Sequence, residues 1–320
     1  PWSYPRLQGC GCALHGASAV IYVHNAENRI ARFLSTIIEI MENNFEHSEI
    51  ICVNDSSDDS SLQKIKETSE KASITSVSVV NMSYFHGLEL SMNAGIDMSI
   101  GDFVFEFDNT ILDFNPDMIM EIYRKSLTGF DIVSASADRK EKFSSKIFYK
   151  VFDRYTNLSY KMTTESFRVL SRRVLNRVDA MNKTIPYRKA VYANCGLKTA
   201  NVKYTVVNTV DRETDRKEEN FRTDLAVDSL LLFTEVGYSF SKLMTVLMMI
   251  MSVFMIIYSI TIYATSTPVA GWTTTILFLS VAFFALFGIL TVIIKYLQLL
   301  VDLVFKRKQY NFESIEKLTK

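Results

Sequence analysis

Between Ser18 and Phe107 the chain alternates strand-like and helix-like patterns, and that alternation admits few folds. Ser18–Val23, Glu49–Val53, Ile74–Val80 and Phe103–Phe107 are short apolar runs rich in β-branched or aromatic residues. Between them, Ala26–Glu42, Leu62–Ala72 and Gly87–Ser99 carry apolar residues at helical spacing. In the first of these the apolar residues are Ile30, Phe33, Leu34, Ile37, Ile38 and Met41. Strands alternating with helices predict an α/β layer with a mostly parallel, Rossmann-like sheet. Right-handed crossovers put the carboxyl ends of the strands on one edge, where ligands bind in such sheets. His24-Asn25, Asp55 and Asp108 each follow an apolar run and therefore converge on one crevice.

Asp108 closes the run Phe103–Phe107, and Asp113 and Asp117 follow it. Carboxylates at a strand end suit a hard divalent cation that holds a phosphate, and equally an ordinary solvated turn. Beyond this point the pattern loosens. Met118–Leu127, Phe143–Tyr155 and Arg172–Met181 read as helices, and Asp131–Ala135, Ser166–Leu170 and Lys203–Asn208 as strands. Asp211–Asp224 mixes both charge signs, as a solvated loop does.

The last quarter changes character. Leu243–Ala264 and Ile276–Ile294 carry no formal charge. At ~1.5 Å per residue the first could cross a ~30 Å hydrocarbon core. Lys242 precedes the pair, Lys306-Arg307-Lys308 follows it, and the link with Trp272 is uncharged. That charge pattern predicts both ends in the cytoplasm. The expected organisation is a leader or cloning remnant over 1–16 and an α/β domain over 17–224. An amphipathic juxtamembrane or packing helix follows over 225–241, then a two-helix transmembrane hairpin over 242–305 and a basic tail over 306–320. A multi-pass protein of the plasma (inner) membrane with a cytoplasmic catalytic domain is the corresponding expectation.

Composition narrows the partners. Lys plus Arg and Asp plus Glu both number 35, so there is no net field to attract nucleic acid. Cys10, Cys12, Cys52 and Cys195 form neither a disulfide framework nor a paired metal spacing, and fit a reducing compartment. His15, His24, His47 and His86 likewise show no ligand spacing.

Several stretches resemble one family. Val20-Ile21-Tyr22-Val23-His24-Asn25-Ala26-Glu27 is similar to the first-strand motif of GT-A-type inverting glycosyltransferases, usually Pro-x-Tyr-Asn-Glu-Glu. Val53-Asn54-Asp55-Ser56-Ser57-Asp58-Asp59-Ser60 resembles their Val-Asp-Asp-Gly-Ser loop. Gly87-Leu88-Glu89 with Asn93-Ala94-Gly95 resembles their Gly-Lys-Glu helix, and Asp108-Asn109-Thr110 stands where the Asp-x-Asp metal motif does. Ser166-Phe167-Arg168-Val169-Leu170 is similar to a segment of polyprenyl-phosphate glycosyltransferases, such as dolichol-phosphate mannose synthase and bactoprenol glucosyltransferase.

The resemblance implies a GT-A domain with a membrane hairpin. It implies transfer of a sugar from a UDP- or GDP-linked donor to polyprenyl (undecaprenyl or dolichyl) phosphate at a lipid bilayer, with a homo-oligomer as the assembly. Val23, Asn25, Glu27, Asp55 and Asp108 are then the nucleotide contacts. Asp108, Thr110 and Asp113 are the ligands of Mg2+ or Mn2+, and Arg168, Arg139 and Lys140 join Asp108 at the reacting phosphates. The chain departs from the pattern at Tyr22, His24, Ala26, Asn54, Ser56, Leu88 and above all Thr110. Those departures also allow a non-catalytic, nucleotide-binding or scaffold subunit, or an enzyme that extends a glycan.

Overall fold

The computed structural model describes residues 15–138, 165–180, 188–207 and 310–319, with isolated helical positions between 243 and 300. The chain divides into two compact units. One comprises Pro1–Tyr149, Leu158–Leu225 and Lys308–Lys320, and the other Lys150–Asn157 and Ala226–Arg307. The sheet belongs to the first.

The order of elements is β1 (Ala17–Val23), α1 (Ile30–Asn44), β2 (Ser48–Asn54), α2 (Ser61–Ser69), β3 (Ser76–Met82), α3 (Leu88–Met98) and β4 (Phe103–Phe107). Then come α4 (Asp117–Ser126), β5 (Ile132–Ala137), β6 (Phe167–Ser171), α5 (Arg172–Ala180), α6 (Arg188–Asn194), β7 (Thr199–Tyr204) and β8 (Phe312–Lys317). The eight described strands form one sheet in the order β7-β5-β6-β4-β1-β2-β3-β8. Neighbours β1–β2, β2–β3, β1–β4 and β5–β7 run parallel, whereas β6 and β8 run against theirs. The expected mostly parallel α/β sheet is what forms.

Alternation along each strand builds two different faces. Ala19, Ile21, Cys52, Val79, Phe105, Phe107 and Val169 share one core with the buried stripe of α1 and with Ile65 of α2 and Ile119, Ile122 and Tyr123 of α4. That stripe is Ile30, Phe33, Leu34, Ile37, Ile38 and Met41, the set read from the sequence. Phe107 meets Phe33 edge-on at 5.4 Å, and Phe45 meets Tyr123 at 5.0 Å. Burial pushes the Cys52 thiol up to about 12, consistent with an inert core residue.

The opposite face receives α3. A side chain at Gly95 would stand 2.5 Å from Val20 Cγ1 and 2.6 Å from Val53 Cγ2, so only glycine lets the helix lie this close to β1 and β2. Gly101 is equally constrained, 2.6 Å from the backbone nitrogen of Ser18.

Two features escaped the sequence reading. Arg188–Asn194 is a helix, and the stretch read as a basic tail contains β8, which pairs antiparallel with the outer edge of β3. Conversely, the expected helix Phe143–Tyr155, the charged run Asp211–Asp224, the segment Leu225–Phe240 and most of the hairpin lie outside the described residues.

The localisation needs correction. Among the described residues no helix is long and apolar enough to cross a membrane, which overturns the expectation of a multi-pass plasma-membrane protein. A span needs about 20 consecutive apolar residues, and the described residues of this stretch are isolated positions rather than such a run.

Replacing Gly95 with alanine is expected to cost about 1–3 kcal/mol through overpacking against χ1-stiff valines, outweighing a helix-propensity gain of up to about 1 kcal/mol. Denaturant unfolding of Gly95→Ala followed by circular dichroism checks this.

Candidate active site

Glu106 and Asp108 are two residues apart at the carboxyl end of β4, so both face the α3 side of the sheet, away from the phenylalanines. Directly across, Arg168 on β6 is the register partner of Glu106. Its guanidinium lies 3.0 Å from Glu106 and 3.3 Å from Glu165, and its Nη2 donates to Asp108 Oδ2 at 2.7 Å.

A second arginine closes the cluster. Arg188 donates through Nε to Glu89 at 2.8 Å, through Nη1 to Glu106 at 3.1 Å and through Nη2 to Asp108 Oδ1 at 2.8 Å. Tyr192, one helical turn on, donates its hydroxyl to Glu106. Lys189 Nζ stands 4.0 Å from Asp108 Oδ2. Arg168, Arg188 and Glu106 are buried. Burial works against the charged form of Asp108, but Arg168, Arg188 and Lys189 overcome it and hold its carboxyl well below the usual carboxylate range. Burial likewise opposes the charged arginines, and the facing carboxylates raise both above their ordinary value.

A second buried carboxylate organises the neighbouring strand ends. Asp55 has 0 % exposure. Its Oδ2 accepts from Tyr22 Oη at 3.0 Å and the Gly87 amide at 2.8 Å, and its Oδ1 accepts from the His86 amide at 2.8 Å. Its own amide donates to Val23 O, and its carbonyl meets His24 Nδ1 at 2.7 Å. Asp55 therefore joins the ends of β1 and β2 to the start of α3, where Gly87 takes a left-handed φ of 78°. Asp55, the expected nucleoside contact, is buried here and accepts from Tyr22, His86 and Gly87.

The rim above it is more open. Asn25 is exposed, and its Oδ1 accepts from the Asp58 amide at 3.0 Å. Glu27 is half-buried and accepts from the Ser60 amide at 3.1 Å. Asn25 and Ser56 both adopt left-handed φ values, 44° and 51°. Such a φ explains why glycine suits the place of Ser56, and strain of this kind gathers at functional rims. Val23 is buried, with its carbonyl occupied by Asp55.

The donor set does not fit the expected metal. A hard cation gathers about six oxygen ligands, whereas each Asp108 oxygen here has a guanidinium against it, whose positive charge opposes a dication. Asp113 turns its carboxylate to the Tyr204 hydroxyl at 2.8 Å, beside Phe114, and Thr110 is buried and uncharged. Among the described residues no group of three or more His, Cys, Asp or Glu could hold an ion. Of the expected cations Arg168 is in place, while Arg139 and Lys140 lie outside the described residues. Glu89, Glu106, Arg188, Lys189 and Tyr192 were missed. The signals for them were Glu106 two residues before Asp108 on a strand, and Arg188 with Tyr192 four apart on a helix.

Removing Arg188 leaves Glu89, Glu106 and Asp108 short of a buried countercharge. Arg188→Ala is expected to lose about 3–5 kcal/mol of stability, measurable by urea unfolding. Asp108 adds a pH dependence. Its folded-state value is depressed, so its contribution is complete above the unfolded value of about 3.9 and disappears as pH falls toward the folded value. Asp108→Asn is expected to flatten that acid limb in melting curves recorded from pH ~5 downward.

The sequence profile described as Glycosyl transferase family 2 matches residues 18–179. An uncharacterized glycosyltransferase of Synechocystis is 28% identical over 271 residues, covering 82% of this chain and 84% of that protein. The prophage bactoprenol glucosyl transferase homolog of Escherichia coli is 27% identical over 205 residues, covering 62% of this chain and 65% of that protein. In shape, the glucosyl-3-phosphoglycerate synthase of Mycobacterium tuberculosis, solved with Mn2+, UDP and phosphoglyceric acid, superposes with a TM-score of 0.51. It is 15% identical, over 68% of this chain and 78% of that one, a likeness of fold. The crevice at the ends of β1, β2 and β4 lies within the matched region, and the chain belongs to glycosyl transferase family 2, a GT-A-fold enzyme that transfers a sugar from a nucleotide sugar.

Proposed function

We propose that the chain transfers a hexose from a UDP- or GDP-linked donor to a polyprenyl phosphate, with inversion at the anomeric carbon. The observation that carries this reading is Asp108, held at the carboxyl end of β4 by Arg168 and Arg188, with the Lys189 ammonium beside it. Phosphates on both substrates call for a cation such as that ammonium. The bactoprenol glucosyl transferases among the relatives support the lipid acceptor.

The chemistry asks little of a base. An oxygen of the acceptor phosphate is already anionic and attacks the anomeric carbon. The bond from that carbon to the donor's β-phosphate oxygen breaks, and the nucleoside diphosphate leaves with the electron pair. No proton moves. Arg168 and Arg188 are spent on carboxylates, so their task is to fix Asp108. Held ionised, Asp108 keeps lone pairs beyond the two it gives the arginines, and these accept from a donor hydroxyl. Asn25 and Glu27 flank the nucleoside on the rim above Asp55. Mn2+ is present with nucleotide in the mycobacterial structure; neither it nor Mg2+ finds a matching donor set among the described residues, so no step is assigned to a metal.

Incubating the full chain with radiolabelled UDP- and GDP-sugars and undecaprenyl or dolichyl phosphate, with and without Mn2+, tests the reading. The expected outcome is a label that partitions into organic solvent and is absent when the dephosphorylated alcohol replaces the acceptor. Asp108→Asn is expected to lower turnover about 100-fold. No lipid-linked product from any donor, while a bactoprenol glucosyl transferase makes one in parallel, overturns it.

A further inference from the structure

The nucleoside diphosphate that leaves in this reaction carries charge that must be met by something in the crevice. Glycosyl transfer of this kind can meet it with a dication, but the residues around Asp108 are arranged differently. Two of the three cations there are buried and already face carboxylates. Arg168 hydrogen-bonds to Asp108 and lies within ion-pair reach of Glu106 and Glu165, and Arg188 hydrogen-bonds to Glu89, Glu106 and Asp108. They also donate to one oxygen each of Asp108, and a dication brought to that carboxylate would approach their charges head-on.

Lys189 is different. Its side chain retains 15% exposure, and its ammonium stands 4.0 Å from Asp108 Oδ2, beyond hydrogen-bond distance. That contact is its one ion pair among the described residues, so the three N–H donors of the ammonium remain available to a ligand. It sits at the carboxyl end of β4, on the edge where the ends of β1, β2 and β3 also lie. A lysine ammonium is a compact point charge on a flexible stem, which suits a phosphate whose position shifts as a bond breaks.

We propose that Lys189 neutralises the diphosphate of the donor in place of a divalent cation, so that this chain binds nucleoside diphosphates without metal. The inference rests on the nucleotide-sugar reading above. The lysine stays protonated throughout, and the diphosphate departs with its electron pair as a salt of the ammonium. Asp108 serves as the fixed countercharge that holds Lys189 at the mouth between turnovers, rather than as a metal ligand. Arg188 and Tyr192 fix the helix that carries the lysine through their bonds to Glu106.

Calorimetric titration of the full chain with UDP and GDP, first in EDTA and then in Mn2+, is the test, together with the six-line electron paramagnetic resonance signal of free Mn2+. The wild-type affinity for the diphosphate is expected to agree within about twofold between the two conditions. Protein plus nucleotide is expected to remove no more of the Mn2+ signal than nucleotide alone. Lys189→Met is expected to weaken UDP or GDP binding about ten- to a hundredfold while leaving the affinity for the corresponding nucleoside unchanged. Lys189→Arg, which keeps the charge, is expected to retain most of the affinity and guards against a folding defect. Binding abolished by EDTA and restored by Mn2+ overturns the inference while leaving the glycosyltransferase reading in place. Wild-type diphosphate affinity in Lys189→Met, with a raised KM for polyprenyl phosphate, also overturns it, because the lysine then serves the acceptor. Failure of both UDP and GDP to bind under either condition overturns the donor assignment and this inference with it.

Discussion

Two buried carboxylates on one strand, Glu106 and Asp108, face two buried guanidiniums, and the site is built on that pairing. Taking four charges out of water is costly, and such a cluster persists only when nearly every donor and acceptor finds a partner. Here Glu106 accepts from Arg188 and Tyr192, Asp108 from both arginines and Glu89 from Arg188, while Arg168 Nε and Nη1 stand within ion-pair reach of Glu165 and Glu106 without hydrogen-bonding to them. The partners come from β4, β6, α3 and α6, so the same interactions that keep Asp108 ionised also fix four elements around it. Loss of one member would leave the others buried and unbalanced, which makes the geometry all-or-none.

Asp55 does comparable work with neutral partners. Tyr22, His86 and Gly87 satisfy its oxygens, and His86 in turn accepts from the Asn311 amide at 3.2 Å, just before β8 begins. The crevice is therefore framed on one side by an ionic network and on the other by amide and phenol hydrogen bonds. The open groups lie between them: the Asn25 side chain, the partly buried Glu27 and the Lys189 ammonium. A reacting centre with rigid walls and a few adjustable polar groups holds a substrate's phosphates without reorganising at each turnover.

Legibility in the sequence followed the range of the interaction. The helical stripe of α1 was readable to the residue because its spacing is local, and the strands from β1 to β6 were readable because both sheet faces are covered and their runs are apolar. Asp108 and Arg168 were found from their place in recognisable motifs, sixty residues apart. Arg188 was not. It follows no apolar run, its helix is short, and its partners Glu89, Glu106 and Asp108 lie 99, 82 and 80 residues away. β8 was invisible for a similar reason, since an exposed edge strand carries charge and little hydrophobic alternation, and Phe312–Lys317 reads as a polar tail.

By itself the sequence determined the α/β class, the mostly parallel sheet and the edge on which the site lies, because periodicity and crossover handedness are properties of the chain alone. It also located Asp108. Tertiary structure alone decided what Asp108 touches. A carboxylate after a strand suits a metal ion and a side-chain cation alike, and only the approach of Arg188 and Lys189 on a distant helix, with Arg168 across the sheet, gave it the side-chain partners it has. Asp55 shows the same rule. Its type and position mark it as a ligand contact, but which protein donors it meets, from Tyr22, His86 and Gly87, was set by packing, because a buried acceptor bonds to the donors the fold brings within reach.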